Sequence, residues 1–134
     1  MQKILFLFVL FGLTSCTEKP KANIRMAKNL VHPIACMKLN SIGIEKEFLS
    51  TLEKLYSFDE SCTMVLSVSY KKDIVCNSSY NSVAKSTGKF PKSFLKLELR
   101  KGLDVMYSYY IDLLDNVEST DVHDGFSRLK NDIL

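Results

Sequence analysis

The stretch that most limits what this chain can become is "FLKLELRKGLDVMYSYYIDLL", residues Phe94 to Leu114. Leu95, Leu97 and Leu99 alternate with Lys96, Glu98 and Arg100. Successive side chains of a strand project to opposite faces, so this run buries leucine on one side of a sheet and leaves charge on the other. Lys101-Gly102 reads as a turn, and beyond it Leu103, Val105, Tyr107, Tyr109 and Ile111 alternate with residues such as Asp104, Ser108 and Asp112. Leu103, Met106, Tyr107, Tyr110 and Leu114 also share one helix face, so Leu103–Leu114 admits either structure. Its tyrosine, valine and isoleucine content and the turn at Gly102 favour the strand. A lone hairpin with one apolar face is marginal in water, so the remaining chain has to cover it.

Two helices are expected to do so. Ile44, Phe48, Leu52, Leu55 and Tyr56 fall on one stripe, with Glu45, Lys46, Glu47, Glu53 and Lys54 off it. Ser41 is the expected N-cap of this helix, and Glu45 lies in the first turn, where negative charge is favoured. Near the end of the chain, Asp124 as a cap followed by Phe126, Leu129, Lys130 and Ile133 suggests a closing helix. Between the helices, Met64, Leu66, Val68 and Tyr70 alternate with Thr63, Val65, Ser67 and Ser69, and Ile74-Val75-Cys76 follows the polar turn Lys71-Lys72-Asp73, which reads as a second hairpin. The expected fold is α+β: a small antiparallel sheet of about four strands in two hairpins, with an N-terminal and a C-terminal helix on one face. Met64, Leu66, Val68, Leu97, Val105 and Tyr107 would form its inner face, packed against Phe48, Leu52, Phe126 and Leu129, and the opposite face would be polar.

The first sixteen residues, "MQKILFLFVLFGLTSC", belong to no such domain. Lys3 precedes an apolar run from Ile4 to Leu13, and Thr14 and Ser15 are small, the order of a secretory leader. A bilayer-spanning helix needs about 20 apolar residues, and this run is half that. Leu13-Thr14-Ser15-Cys16 resembles the lipobox of bacterial lipoproteins. The resemblance is confined to the leader and lipobox. It implies that Cys16 takes a diacylglyceryl group, that the leader 1–15 is cut before it, and that the new amine is acylated in turn. Two or three acyl chains anchor a protein durably where a single chain does not. Thr17 stands where an aspartate would direct retention in the inner membrane, so the implied address is the outer membrane, facing the periplasm. The expected organisation is a signal peptide over 1–15, a lipidated tether over 16–29 and one globular domain over 30–134. Lys19, Lys21, Arg25 and Lys28 in the tether either rest against anionic lipid head groups or are simply solvated.

Charge and motifs exclude several function classes. The formal charge of +3 includes Lys3, so the chain after the leader carries +2, too little for the basic stripe of a nucleic-acid binder. The sequence lacks the Gly-x-Ser-x-Gly, Gly-x-x-x-x-Gly-Lys and His-Glu-x-x-His patterns. Asp121-Val122-His123-Asp124 sets a histidine between carboxylates, but at a helix start such residues cap and solvate, so no catalytic or metal-binding group, no cofactor and no small-molecule substrate is inferred. Cys36, Cys62 and Cys76 remain besides Cys16, with no C-x-x-C among them. If Lys71-Lys72 were a two-residue hairpin loop, Cys62 would lie about 17 Å along its strand from Cys76's partner, at about 3.3 Å per residue. That exceeds the reach of a disulfide. Cys36 is therefore expected to bond with one of the two; Cys76 is preferred, because Cys62 shares the inward face of Met64, Leu66 and Val68, where a free thiol packs as a small hydrophobe, and Cys62 is the alternative partner.

Tyr107 and Tyr109 are expected inward and Tyr110 outward, and the serine- and asparagine-rich loop Asn77–Lys89 is the main recognition candidate. The expected role is a non-enzymatic, membrane-anchored protein that binds another envelope protein within an assembly or secretion apparatus. The alternative is an immunity or inhibitor lipoprotein that neutralises a periplasmic toxin or hydrolase. Cys16 is the only residue able to accept the lipid at that position, so Cys16→Ser is expected to abolish labelling by a fatty-acid analogue and leave uncut precursor. Labelling that survives the change removes the basis of the address.

Overall fold

The computed structural model describes residues 20–75 and 90–134. They form an α+β arrangement of five strands and two helices. In chain order these are β1 (Asn23–Met26), β2 (Lys38–Asn40), α1 (Lys46–Leu55), β3 (Met64–Lys71), β4 (Ser93–Lys101), β5 (Asp104–Leu113) and α2 (Ser119–Ile133). The sheet order is β1-β5-β4-β3-β2. All neighbours are antiparallel except β2 and β3, which run parallel.

The sheet is thus mixed and five-stranded, where four antiparallel strands are expected from alternation alone. β1 falls within the stretch read as tether: Asn23–Met26 pairs with β5 from Asn23↔Tyr110 to Met26↔Tyr107. Its side chains are mostly exposed, two of the four being polar, because an edge strand with one open face has little to bury. β2 is three residues long, too short for alternation to show. The expected hairpin about Lys71-Lys72 is replaced by a longer-range pairing of β3 with β4, from Met64↔Lys101 to Lys71↔Phe94. The chain turns away at Asp73, whose φ of 52° is left-handed. Asp73 and Asn116 hold this corner: the Asp73 amide donates to Asn116 Oδ1 at 2.9 Å, and Asn116 Nδ2 donates back to Asp73 Oδ1 at 2.8 Å.

The hairpin of β4 and β5 forms as the alternation requires, and Leu103–Leu113 is not helical. Gly102 opens its two-residue loop with φ 61°, the position where primed turns need glycine. A bulge between Leu99 and Arg100 shifts the register, so that Leu99 faces Tyr107 while Arg100 faces Val105. One extra residue inverts the phase of a period-two pattern. Val105, expected inward, is therefore 39% exposed, Leu103 at the turn is 93% exposed, and Met106 is buried instead. From Tyr107 the phase is the expected one: Tyr107 and Tyr109 point inward, and Tyr110 points outward to stack on Phe94 at 5.7 Å.

Both helices cover the inner face. Phe48 and Leu52 of α1, and Val122, Phe126 and Leu129 of α2, join Leu66, Leu95, Leu97, Leu99 and Tyr107 in one core. Met64 and Val68 are only partly buried against it. The helix ends differ from expectation. Glu45, not Ser41, is the N-cap of α1 and makes no side-chain cap bond. α2 starts at Ser119, five residues before Asp124, because Glu118 and Asp121 form a reciprocal capping box. The Glu118 amide donates to Asp121 Oδ2 at 2.8 Å, which satisfies a donor that the helix start would leave orphaned. At the other end of α2, the Tyr107 hydroxyl donates to Asp132 Oδ2 at 2.7 Å. Burial, and then that bond, push the Tyr107 phenol well above its ordinary range.

Gly125 sets the closeness of α2 to the sheet. A Cβ there would lie 2.9 Å from the Tyr109 ring and 3.3 Å from Leu97 Cδ1. Glycine costs a helix about 1 kcal/mol relative to alanine, and the close approach is what it supplies in return. Gly125→Val is expected to destabilise the domain by about 1–3 kcal/mol through overpacking, read as a lower denaturant midpoint. A variant as stable as the parent would show that α2 stands further from β5.

Candidate functional site

Two of the residues singled out from sequence, Cys36 and Cys62, meet at one end of the sheet. β2 lies parallel beside the start of β3, with Lys38 opposite Val65. Cys36 precedes β2 by two residues and Cys62 precedes β3 by two, so the parallel pairing brings them together. They form a disulfide with Cα atoms 6.0 Å apart. The expected Cys36–Cys76 bond is therefore corrected to the alternative pairing, Cys36–Cys62. The preference for Cys76 failed because it treated Cys62 as a free thiol packed inward on its strand, whereas Cys62 lies just ahead of β3, where the parallel β2 brings Cys36 beside it. Cys76, the loop Asn77–Lys89 and Cys16 lie outside the described residues.

Beside this disulfide is a cleft of about 310 Å³. Pro33, Ile34, Cys36, Cys62, Met64 and Met106 line it. The Ile34 amide donates to the Ile133 carbonyl at 3.0 Å, which fixes that part of the lining against the end of α2. Val31, also on the cleft, is 81% exposed. Lys101 lines the same cleft and leads directly into the exposed Leu103 at the hairpin tip. Solvent-exposed apolar side chains gathered around an open cleft are a feature of protein-contact surfaces. A second hollow of about 300 Å³, between β2 and the end of α1, is edged by Glu53 and Glu60 as well as Tyr56 and Phe58.

The chain enters the sheet away from the cleft. β1 pairs Asn23 with Tyr110 and Met26 with Tyr107, and the Ala27 amide then donates to the Met106 carbonyl at 2.9 Å. The chain thus enters the sheet near Tyr110 and runs toward the cleft.

The open face of the sheet is a second surface of distinct character. Along β4, Glu98 sits between Lys96 and Arg100, accepting from Lys96 Nζ at 2.7 Å and from the Arg100 guanidinium. Partial burial opposes ionisation of Glu98, but those two bonds outweigh it and hold the carboxyl below its ordinary range. Tyr110 donates from its hydroxyl to Asp112 Oδ1 at 2.8 Å on the same face.

His123 lies on the exposed side of α2, its Nδ1 3.1 Å from Oδ1 of the adjacent Asp124. Asp121 is engaged in the capping box, so it does not join them at a shared site. Among the described residues, no group of three or more His, Cys, Asp or Glu is placed to hold a metal ion. No described helix is long and apolar enough to cross a membrane. His32 is exposed and precedes Pro33 through a cis peptide bond.

Sequence reasoning missed the cleft. The signals were the short apolar run Leu30 to Leu39 interrupted by Pro33, and the pair Met64 and Met106, which alternation placed inward or left ambiguous. No protein-family model matches the chain, and no curated protein or solved structure matches it either.

The disulfide closes a loop with a sequence separation of 26. In the chain-entropy model such a loop contributes about 3–4 kcal/mol. Reduction is therefore expected to lower the unfolding free energy by about that amount, measured as a shift in denaturant midpoint. Non-reducing peptide mapping should yield a Cys36–Cys62 crosslinked peptide, and a Cys36–Cys76 crosslink would contradict the parallel β2–β3 pair.

Proposed function

We propose that this chain is a lipid-anchored envelope protein, held in the outer membrane through acyl chains on Cys16 and facing the periplasm. There it binds another envelope protein as a non-enzymatic member of an assembly or secretion apparatus. The leader and Leu13-Thr14-Ser15-Cys16 support the address. What carries the binding role is the cleft beside the disulfide, lined by the exposed Val31, together with the exposed Leu103 at the tip of the hairpin whose Lys101 lines the cleft. Exposed aliphatic side chains cost solubility, and a partner that covers them removes that cost. The cleft walls are held by the disulfide and by the Ile34 to Ile133 hydrogen bond, and a surface ordered in advance loses less entropy on binding. The chain enters the sheet opposite Tyr110, away from Met106 at the cleft, which is compatible with the cleft staying accessible.

The pair Val31→Asp and Leu103→Asp tests the reading. Both side chains are almost fully solvated, so the double variant should melt within about 0.5 kcal/mol of the parent, as surface substitutions do. It is expected to lose at least tenfold of the partner recovered when the protein is captured from solubilised envelope. Undiminished recovery of the same partner moves the binding surface away from the cleft.

A further inference from the structure

The two sides of the domain carry opposite charge. Strand pairing places Arg25, Lys38, Lys71, Lys96 and Arg100 on the open face of the sheet. Glu98 and Asp112 are the carboxylates of those strands on that face, and each is already engaged, Glu98 by Lys96 and Arg100 and Asp112 by Tyr110. Lys38 is paired with Glu60 at 3.1 Å, so five cations stand against three anions, and Arg25 and Lys71 are the two whose charge none of these carboxylates meets. On the other side, α1 and α2 with their N-cap residues carry seven carboxylates against four lysine and arginine side chains. Lys21 and Lys28, which flank β1, are exposed and add to the positive side at its edge.

Chain length limits how far this charge asymmetry can sit from a bilayer. Asn23, the first residue of β1, follows Cys16 by seven residues. At no more than about 3.6 Å per residue, that tether spans at most about 25 Å. β4 alone, with nine residues, is about 30 Å long at 3.3 Å per residue. The domain therefore cannot withdraw from the membrane by more than about its own width. Short tethers raise the effective concentration of the second contact to the millimolar range, so a weak, screened attraction suffices to orient the domain.

We propose that the open face of the sheet lies on the anionic phospholipid surface of the membrane that holds Cys16, with α1 and α2 turned away from it. This orientation rests on the lipid-anchor reading. The cleft remains accessible in it, because Met64 and Met106 belong to the helix-facing side of the sheet end.

The test uses the full lipidated protein in phosphatidylcholine vesicles with and without phosphatidylglycerol, exposed to a membrane-impermeant amine reagent and read by mass spectrometry. Lys71 and Lys96 are expected to be protected several-fold in the anionic vesicles only, and high salt should reverse the protection. Lys46 and Lys54, exposed on α1, should label equally in both. In the double variant Arg25→Glu with Lys71→Glu, protection of Lys96 should disappear, since neither residue belongs to the Glu98 triad that the fold uses. Equal labelling of Lys71 and Lys96 in both vesicle types overturns the proposal, as does protection of Lys46 and Lys54 instead. Protection seen in native envelope but not in anionic vesicles assigns the face to a protein and also overturns it. The Cys16→Ser protein, added to the same anionic vesicles at low ionic strength, separates the two readings. Selective protection of Lys71 and Lys96 there supports the face even if the wild-type protein proves not to be lipidated. Protection spread evenly over both sides overturns it.

Discussion

Leu95, Leu97 and Leu99 have no solvent exposure, and the arrangement of the domain follows from keeping them dry. They belong to the central strand, so neither hydrogen-bonding edge of β4 faces water, and their side chains need a lid on one side only. α2 supplies most of it, approaching so closely that Gly125 has no room for a Cβ. α1 then packs beside α2, adding Phe48 and Leu52 to the same core. Three buried leucines at roughly 1.5–3 kcal/mol each represent a large share of a small domain's stability. The charges on the reverse of the same strand follow from the same alternation, because β4 cannot be apolar on one side and apolar on the other without becoming an aggregation hazard.

What could be read from the sequence was whatever a local period encodes. The β4–β5 hairpin was legible because leucine and charge alternate without interruption and glycine marks the turn. Both helices were legible from their apolar stripes, although their starts were not: Glu118 is an uncommon N-cap, and only the reciprocal bond with Asp121 makes it one. Pairings between distant segments were not legible. β3 finds β4 across residues 72–92, and no pattern in Met64–Lys71 says that its partner is there and not at Ile74. The partner of Cys36 was misjudged for the same kind of reason, since the parallel pairing of β2 with β3 that brings it beside Cys62 joins distant segments and no local period encodes it. The bulge at Leu99 and Arg100 is a further case, because one inserted residue moves Val105 to the outside with no change in composition. The cleft was invisible for the same reason, its walls being drawn from four separate segments.

The three surfaces divide the domain in a way that fits the proposed role. The basic sheet face, the acidic helical side and the apolar cleft end are chemically different, and each is made by a different part of the sequence pattern. The open face is written by alternation in β3, β4 and β5. The helical side is written by the residues off the apolar stripes of α1 and α2. The cleft end is written by connections, where proline and a disulfide stand in for regular hydrogen bonding.

The disulfide joins the residues just ahead of β2 and β3, the two strands of the parallel pair. That pair has three residues of ladder to hold a connection that passes through all of α1. Parallel pairing across an intervening helix closes late in folding, since the entropy of bringing its ends together is lost before the contacts form. A covalent link at its head makes that closure permanent once achieved. The sheet can thus assemble around β4 in either redox environment, and its β2 edge is covalently latched only where thiols oxidise. Passage through a reducing compartment would leave the molecule with an unlatched edge, and arrival in an oxidising one would complete it.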